Sequence, residues 1–86
     1  MKIIVAILKD SDSEAVTQGL TSDGFRVTRI ASTGGFFKKG TATFFVGVDD
    51  DKVDAAITVL REKTTVVTGE KRCTVFVVPV ERFEQI

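Results

Sequence analysis

Histidine, tryptophan and tyrosine are absent from these 86 residues, and cysteine, proline and methionine occur once each. Without histidine the chain lacks the commonest general base and the commonest metal ligand. Cys73 therefore has no imidazole to activate it, and nucleophilic catalysis has no ready apparatus. A lone cysteine also excludes an internal disulfide, and its apolar neighbours predict a buried thiol in a reducing compartment. Charge of one sign is lacking as well, because 12 Lys and Arg balance 12 Asp and Glu. No global field draws in a nucleic acid polymer or an acidic membrane. No apolar run approaches the roughly 18 residues of a membrane span, and Met1 leads straight into strand-like sequence without the pattern of a secretory leader. A cytoplasmic protein is expected.

What is abundant is apolar surface. Hydrophobic residues make up 43% of the chain, yet a domain this small buries only roughly 60–65% of its unfolded surface. Part of the apolar surface should then be covered by another subunit. No linker, low-complexity stretch or fixed-period repeat divides the sequence, which reads as a single domain over residues 1–86.

The pattern changes period along the chain. Lys2 to Leu8 is a continuous β-branched run, the mark of a strand buried on both faces. Ser11-Asp12-Ser13-Glu14 matches a capping box, and Val16, Gly19, Leu20 and Asp23 follow at helical spacing, with Gly24 as the stop. Phe25 to Ala31 reads as a second strand and Thr41 to Val48 as a third. Asp49-Asp50-Asp51 places acids at a helix start, and Val53, Ala56, Ile57 and Leu60 mark the stripe of a second helix. Thr64 to Thr68 could form a short strand, and Gly69-Glu70-Lys71 reads as a turn. Cys73 to Val80 is the last main strand, its proline near the end where a missing ladder donor does least harm.

The order is β-α-β-β-α-β. Short right-handed connections turn it into an α+β, ferredoxin-like antiparallel sheet with two helices on one face. Ile4, Ala6 and Leu8 point to one side of the first strand, and Ile3, Val5 and Ile7 to the other. Two helices cover one side only. The other side is too apolar to stay wet, which predicts a homo-oligomer packed through the open sheet face.

The loop Ser32 to Gly40 carries the most chemistry. Gly34-Gly35 frees the backbone to turn and to present N–H groups to a ligand; it also fits a plain turn between strands. Phe36-Phe37 is planar and apolar, suited either to an adenine face or to plugging an interface. Lys38-Lys39 adds positive charge or simply a solvated edge. Together these residues could hold something flat and anionic, such as a nucleotide. Neither GxxxxGK[ST] nor GxGxxG occurs. Arg26 and Thr28 share one strand face, where Arg26 fits bidentate phosphate binding as well as a cross-strand ion pair. Three consecutive aspartates at 49–51 are more often a solvated helix cap than a cation site, and neither a catalytic nor a metal-ligating residue is assigned.

At Phe25-Arg26-Val27-Thr28, Ala31-Ser32-Thr33-Gly34-Gly35-Phe36, Gly40-Thr41-Ala42-Thr43-Phe44 and Gly47-Val48-Asp49-Asp50-Asp51-Lys52-Val53-Asp54, the chain resembles the P-II-like receptors of cyclic di-AMP. Thr74 to Val80 and Phe83-Glu84-Gln85 match as well. The resemblance implies a ferredoxin-like homotrimer of the nitrogen-regulatory P-II superfamily, with ligand sites in clefts between subunits. Carried over by position, it implies ligand contacts from Arg26 and Thr28, from Gly35, Phe36 and Phe37 in the loop, from Thr41 and Gly47, and from Phe76 and Gln85. It implies no cofactor. The chain differs from the family in carrying Gly24 and Thr41 where Asn is frequent. It also has only about a dozen residues, Arg61 to Arg72, where such receptors carry a long signalling loop, so it is a short-loop variant. The reading is a non-enzymatic signalling protein that binds cyclic di-AMP or a related nucleotide and acts on an unknown protein partner. The alternative is a P-II-like trimer that has lost the dinucleotide site and binds another small ligand or a protein.

Overall fold

A computed structural model describes residues 1–30 and 40–86. The elements are β1 (Lys2–Lys9), a 3-10 turn (Asp10–Asp12), α1 (Ser13–Ser22), β2 (Arg26–Ile30), β3 (Thr41–Val48), a second 3-10 turn (Asp50–Lys52), α2 (Val53–Lys63) and β4 (Cys73–Pro79). The strands form one sheet in the order β2-β3-β1-β4 with every neighbouring pair antiparallel. This is the ferredoxin-like α+β fold expected from the element order.

The two-residue period of β1 and β3 sorts the core. Ile4, Ala6 and Leu8 are buried beside Ala42, Phe44, Val46 and Val48, and the helices close over them with Val16, Leu20, Ala56, Val59 and Leu60. Each large aliphatic or aromatic side chain buried there contributes about 1.5–3 kcal/mol. The alternate residues form the opposite face. Register sets Arg26, Gly47, Ile3 and Val78 in one row across the sheet, and Thr28, Phe45, Val5 and Phe76 in the next. Among the described residues no helix covers these rows. Phe45 is 39% exposed, Val78 45% and Phe76 53%, so the second face is apolar and open.

The end of α1 follows the Schellman pattern. Phe25 N–H donates to the Leu20 carbonyl and Gly24 N–H to the Thr21 carbonyl, each at 3.0 Å. Gly24 takes φ +86°, a left-handed conformation that a side chain would strain. The chain thereby reverses in two residues and delivers Arg26 to the start of β2.

One expectation is corrected. The capping box does not form: α1 begins at Ser13, and no side chain caps it. The Asp12 carboxylate is buried and instead accepts the Thr65 N–H at 3.1 Å and the Thr65 hydroxyl at 2.7 Å. The short strand that Thr64 to Thr68 could have formed is likewise absent. Thr64 is buried with its hydroxyl on the Leu60 carbonyl, and Thr65 is tied to the start of α1, which leaves this backbone no ladder to join. The expected turn is present, with Gly69 at φ +80° and Glu70 N–H bonded to the Val67 carbonyl.

Helices α1 and α2 approach closely at Gly19. A Cβ placed there would lie 2.9 Å from both Val59 Cγ1 and Lys63 Cγ. Lys63 can swing into solvent, but Val59 is only 6% exposed and has nowhere to go. Gly19→Val should therefore lower stability by about 1–3 kcal/mol, measured as a fall in the urea midpoint without a change in slope. An unchanged midpoint would contradict this packing.

Candidate functional site

At one end of the open face the sheet edge, the α1–β2 turn, the start of α2 and the C-terminal tail enclose a cleft of about 810 Å³. Its floor is open because of Gly47. This residue stands directly opposite Arg26 on β2 and Ile3 on β1, and with no side chain it leaves the backbone of the central strand accessible. Arg26 rises beside it, with Thr28 two residues on and facing the same way. Phe45 lies opposite Thr28 in the ladder. Lys52 and Ala55 come from the start of α2, and Phe83 and Gln85 from the tail.

Electrostatically the cleft mixes signs, since Arg26 and Lys52 share its lining with Asp23 and Asp49. Neither Arg26 nor Lys52 makes a side-chain hydrogen bond or ion pair among the described residues. Arg29, by contrast, points to the helix side of the sheet and is paired with Asp10. Asp50 is also occupied, since its carboxylate takes the Met1 amine at 2.8 Å. That hydrogen bond, helped by the nearby Lys2 charge, holds the Asp50 carboxyl below its ordinary value. The aspartate run is thus neither a side-chain cap for α2 nor a cluster. Among the described residues no group of three or more acids or thiols is placed to hold a metal ion.

Arg26, Thr28, Gly47 and Gln85 therefore line one cleft. Thr41 and Phe76 do not. Phe76 lies on β4, at the opposite edge of the sheet from Thr28, three strand spacings or about 14 Å away. Thr41 sits at the far end of β3 from Gly47, about 20 Å along the strand. It lines a second cleft of about 880 Å³ with Lys9, Lys71 and Cys73. Gly35, Phe36 and Phe37 lie outside the described residues.

Sequence reasoning missed Met1, Phe45, Lys52 and Phe83 as cleft residues. Phe45 and Phe83 were within reach of it, since each stands two positions before an assigned residue, Gly47 and Gln85. Met1 and Lys52 come from stretches far apart in the sequence, and no local pattern marks them.

A family model described as cyclic-di-AMP receptor matches residues 1–71. The fold is also similar to the crystal structure of a functionally unknown protein from Pediococcus pentosaceus ATCC 25745. The TM-score is 0.80 at 24% sequence identity, covering 99% of this chain and 96% of that one. At that identity the likeness speaks for the fold. Among the described residues no helix is long and apolar enough to cross a membrane.

The thiol in the second cleft is not poised for chemistry. Burial pushes Cys73 from an ordinary 9.0 up to about 11, against a smaller opposing effect of a backbone hydrogen bond with Ile7. The folded protein holds this proton more tightly than the unfolded chain does. The stability tied to it is complete below about pH 9 and is lost as pH rises through about 11. Alkylation by iodoacetamide near pH 8 should run at least ~10-fold slower on native protein than on urea-unfolded protein. Equal rates would show a free thiolate and contradict the burial.

Proposed function

We propose that this chain, which belongs to the cyclic-di-AMP receptor family, is a non-enzymatic signalling protein that binds cyclic di-AMP in clefts shared between the subunits of a homotrimer. One observation carries the reading. An arginine without a partner among the described residues stands beside a glycine that exposes the central strand, on the wall of a cleft of about 810 Å³.

Each part of that arrangement suits a cyclic purine dinucleotide. Its two phosphodiesters carry negative charge that Arg26 can bind through paired N–H donors. Gly47 lets a flat group settle close to the sheet, and Thr28 offers a hydroxyl. Phe45 and Phe83 present rings on which adenine can stack, while the Gln85 amide can both donate to and accept from a base edge. Thr41 and Phe76 are too far from Arg26 in one subunit to touch the same ligand, so a neighbouring copy supplies them. Gly35, Phe36 and Phe37 complete the site from the loop. The apolar rows of the open face are what neighbouring copies bury. The chain acts as one domain over residues 1–86 in the cytoplasm, where a free thiol and a nucleotide messenger both belong.

A rival reading rests on the connection between α2 and β4. It is short and tied down at its start by the Asp12–Thr65 bonds. With so little chain to move, the protein would be a trimer of the same build that has lost the dinucleotide and takes another small ligand or a protein.

Calorimetric titration with cyclic di-AMP, ATP and cyclic di-GMP separates the two. Heat is expected with cyclic di-AMP alone. Arg26→Ala should weaken that binding about 10- to 100-fold, the range for losing a hydrogen bond to a charged group. No heat with any of the three nucleotides would favour the rival.

A further inference from the structure

Met1 has a place in this cleft that neither its residue type nor its position in the sequence suggests. A Cβ built on Gly47 would come within 3.1 Å of the Met1 Cε methyl, and no other atom of the described residues crowds it. The methionine methyl therefore lies over the one backbone position that leaves the cleft floor open. Gly47 is directly opposite Arg26 in the β2–β3 ladder, so Met1 and an arginine without a partner among the described residues flank the same position.

The root of this side chain is fixed while its end is free. The Met1 carbonyl accepts the Val80 N–H at 3.1 Å, and its amine meets the Asp50 carboxylate at 2.8 Å. The residue is nonetheless 45% exposed, so packing does not lock the thioether as it would in a core. An unbranched side chain with three rotatable bonds and a polarisable sulfur adapts readily to a flat aromatic face. From this position we propose that the Met1 side chain is a ligand-contacting, specificity-determining residue. It forms the movable floor of the cleft and packs against the purine base held beside Arg26. The proposal rests on the receptor reading above.

Methionine occurs once in the chain. Protein labelled with [13C]methyl-methionine therefore gives a single methionine methyl signal that reports on this contact. On titration with cyclic di-AMP that signal should move and saturate with the calorimetric heat, and it should show nuclear Overhauser contacts to adenine protons. Conversion of Met1 to the sulfoxide makes the end of the side chain polar, and should weaken binding at least about 3-fold. In ligand-free protein Gly47→Ala should shift the same signal while the fold survives, because only the end of a flexible side chain must yield. Binding heat with an unmoved methyl signal and no contact to adenine would overturn this inference and leave the receptor reading standing. No heat at all would overturn both. A methyl signal indifferent to Gly47→Ala would remove the geometric basis.

Discussion

Two helices can cover only one side of a four-stranded sheet, and this sheet is apolar on both. Ile4, Ala6, Leu8, Phe44 and Val46 are sealed beneath α1 and α2. Ile3, Val5, Phe45, Phe76 and Val78 face the other way, with no helix or strand of the described residues above them. The hydrophobic effect makes wide exposure of such rows costly, and association is the usual outcome. The rest of the molecule follows from that imbalance. The open face offers a wide apolar surface, and the cleft lies at one of its margins.

The cleft is a consequence of how this face ends. The left-handed Gly24 brings β2 in immediately after α1, which sets Arg26 at the rim. Gly47 then removes the side chain that would otherwise fill the corner between β2 and β1. Met1 and the tail residues Phe83 and Gln85 close the walls. Polar and apolar groups are thus brought together by backbone geometry at two glycines, and Arg26 stands among them without an ion-pair partner among the described residues. Away from the cleft, Arg29 pairs with Asp10 and Lys9 with Glu70.

Much of the fold was legible because period and punctuation agreed. Thr41 to Val48 is rich in Thr, Phe and Val and is β3 from end to end, and Gly24 stops α1 where its spacing predicts. Long-range bonds were not legible. Asp12 reads as part of a capping box, but a threonine 53 positions away takes its carboxylate. The same bond removes the strand that Thr64 to Thr68 suggests by composition. For the site, face sharing by Arg26 and Thr28 follows from the two-residue period alone, whereas their nearness to Gly47 and Gln85 depends on strand register and the path of the tail. The separation of Phe76 from Arg26 has the same origin, whereas that of Thr41 runs along β3 from Gly47. Strand order sets sheet-wide distances, and neither strand contains a local signal of how far it lies from the other.

The central claim is that copies of this chain bury the open sheet face against one another, and the mass of the native protein in solution tests it most directly. Light scattering should give three times the chain mass of 9.4 kDa. Val5→Lys places a charge midway between Phe45 and Phe76 and should return the mass to that of one folded chain. A native protein that is monomeric at micromolar concentration, with its fold intact and those rows bare, would contradict the claim.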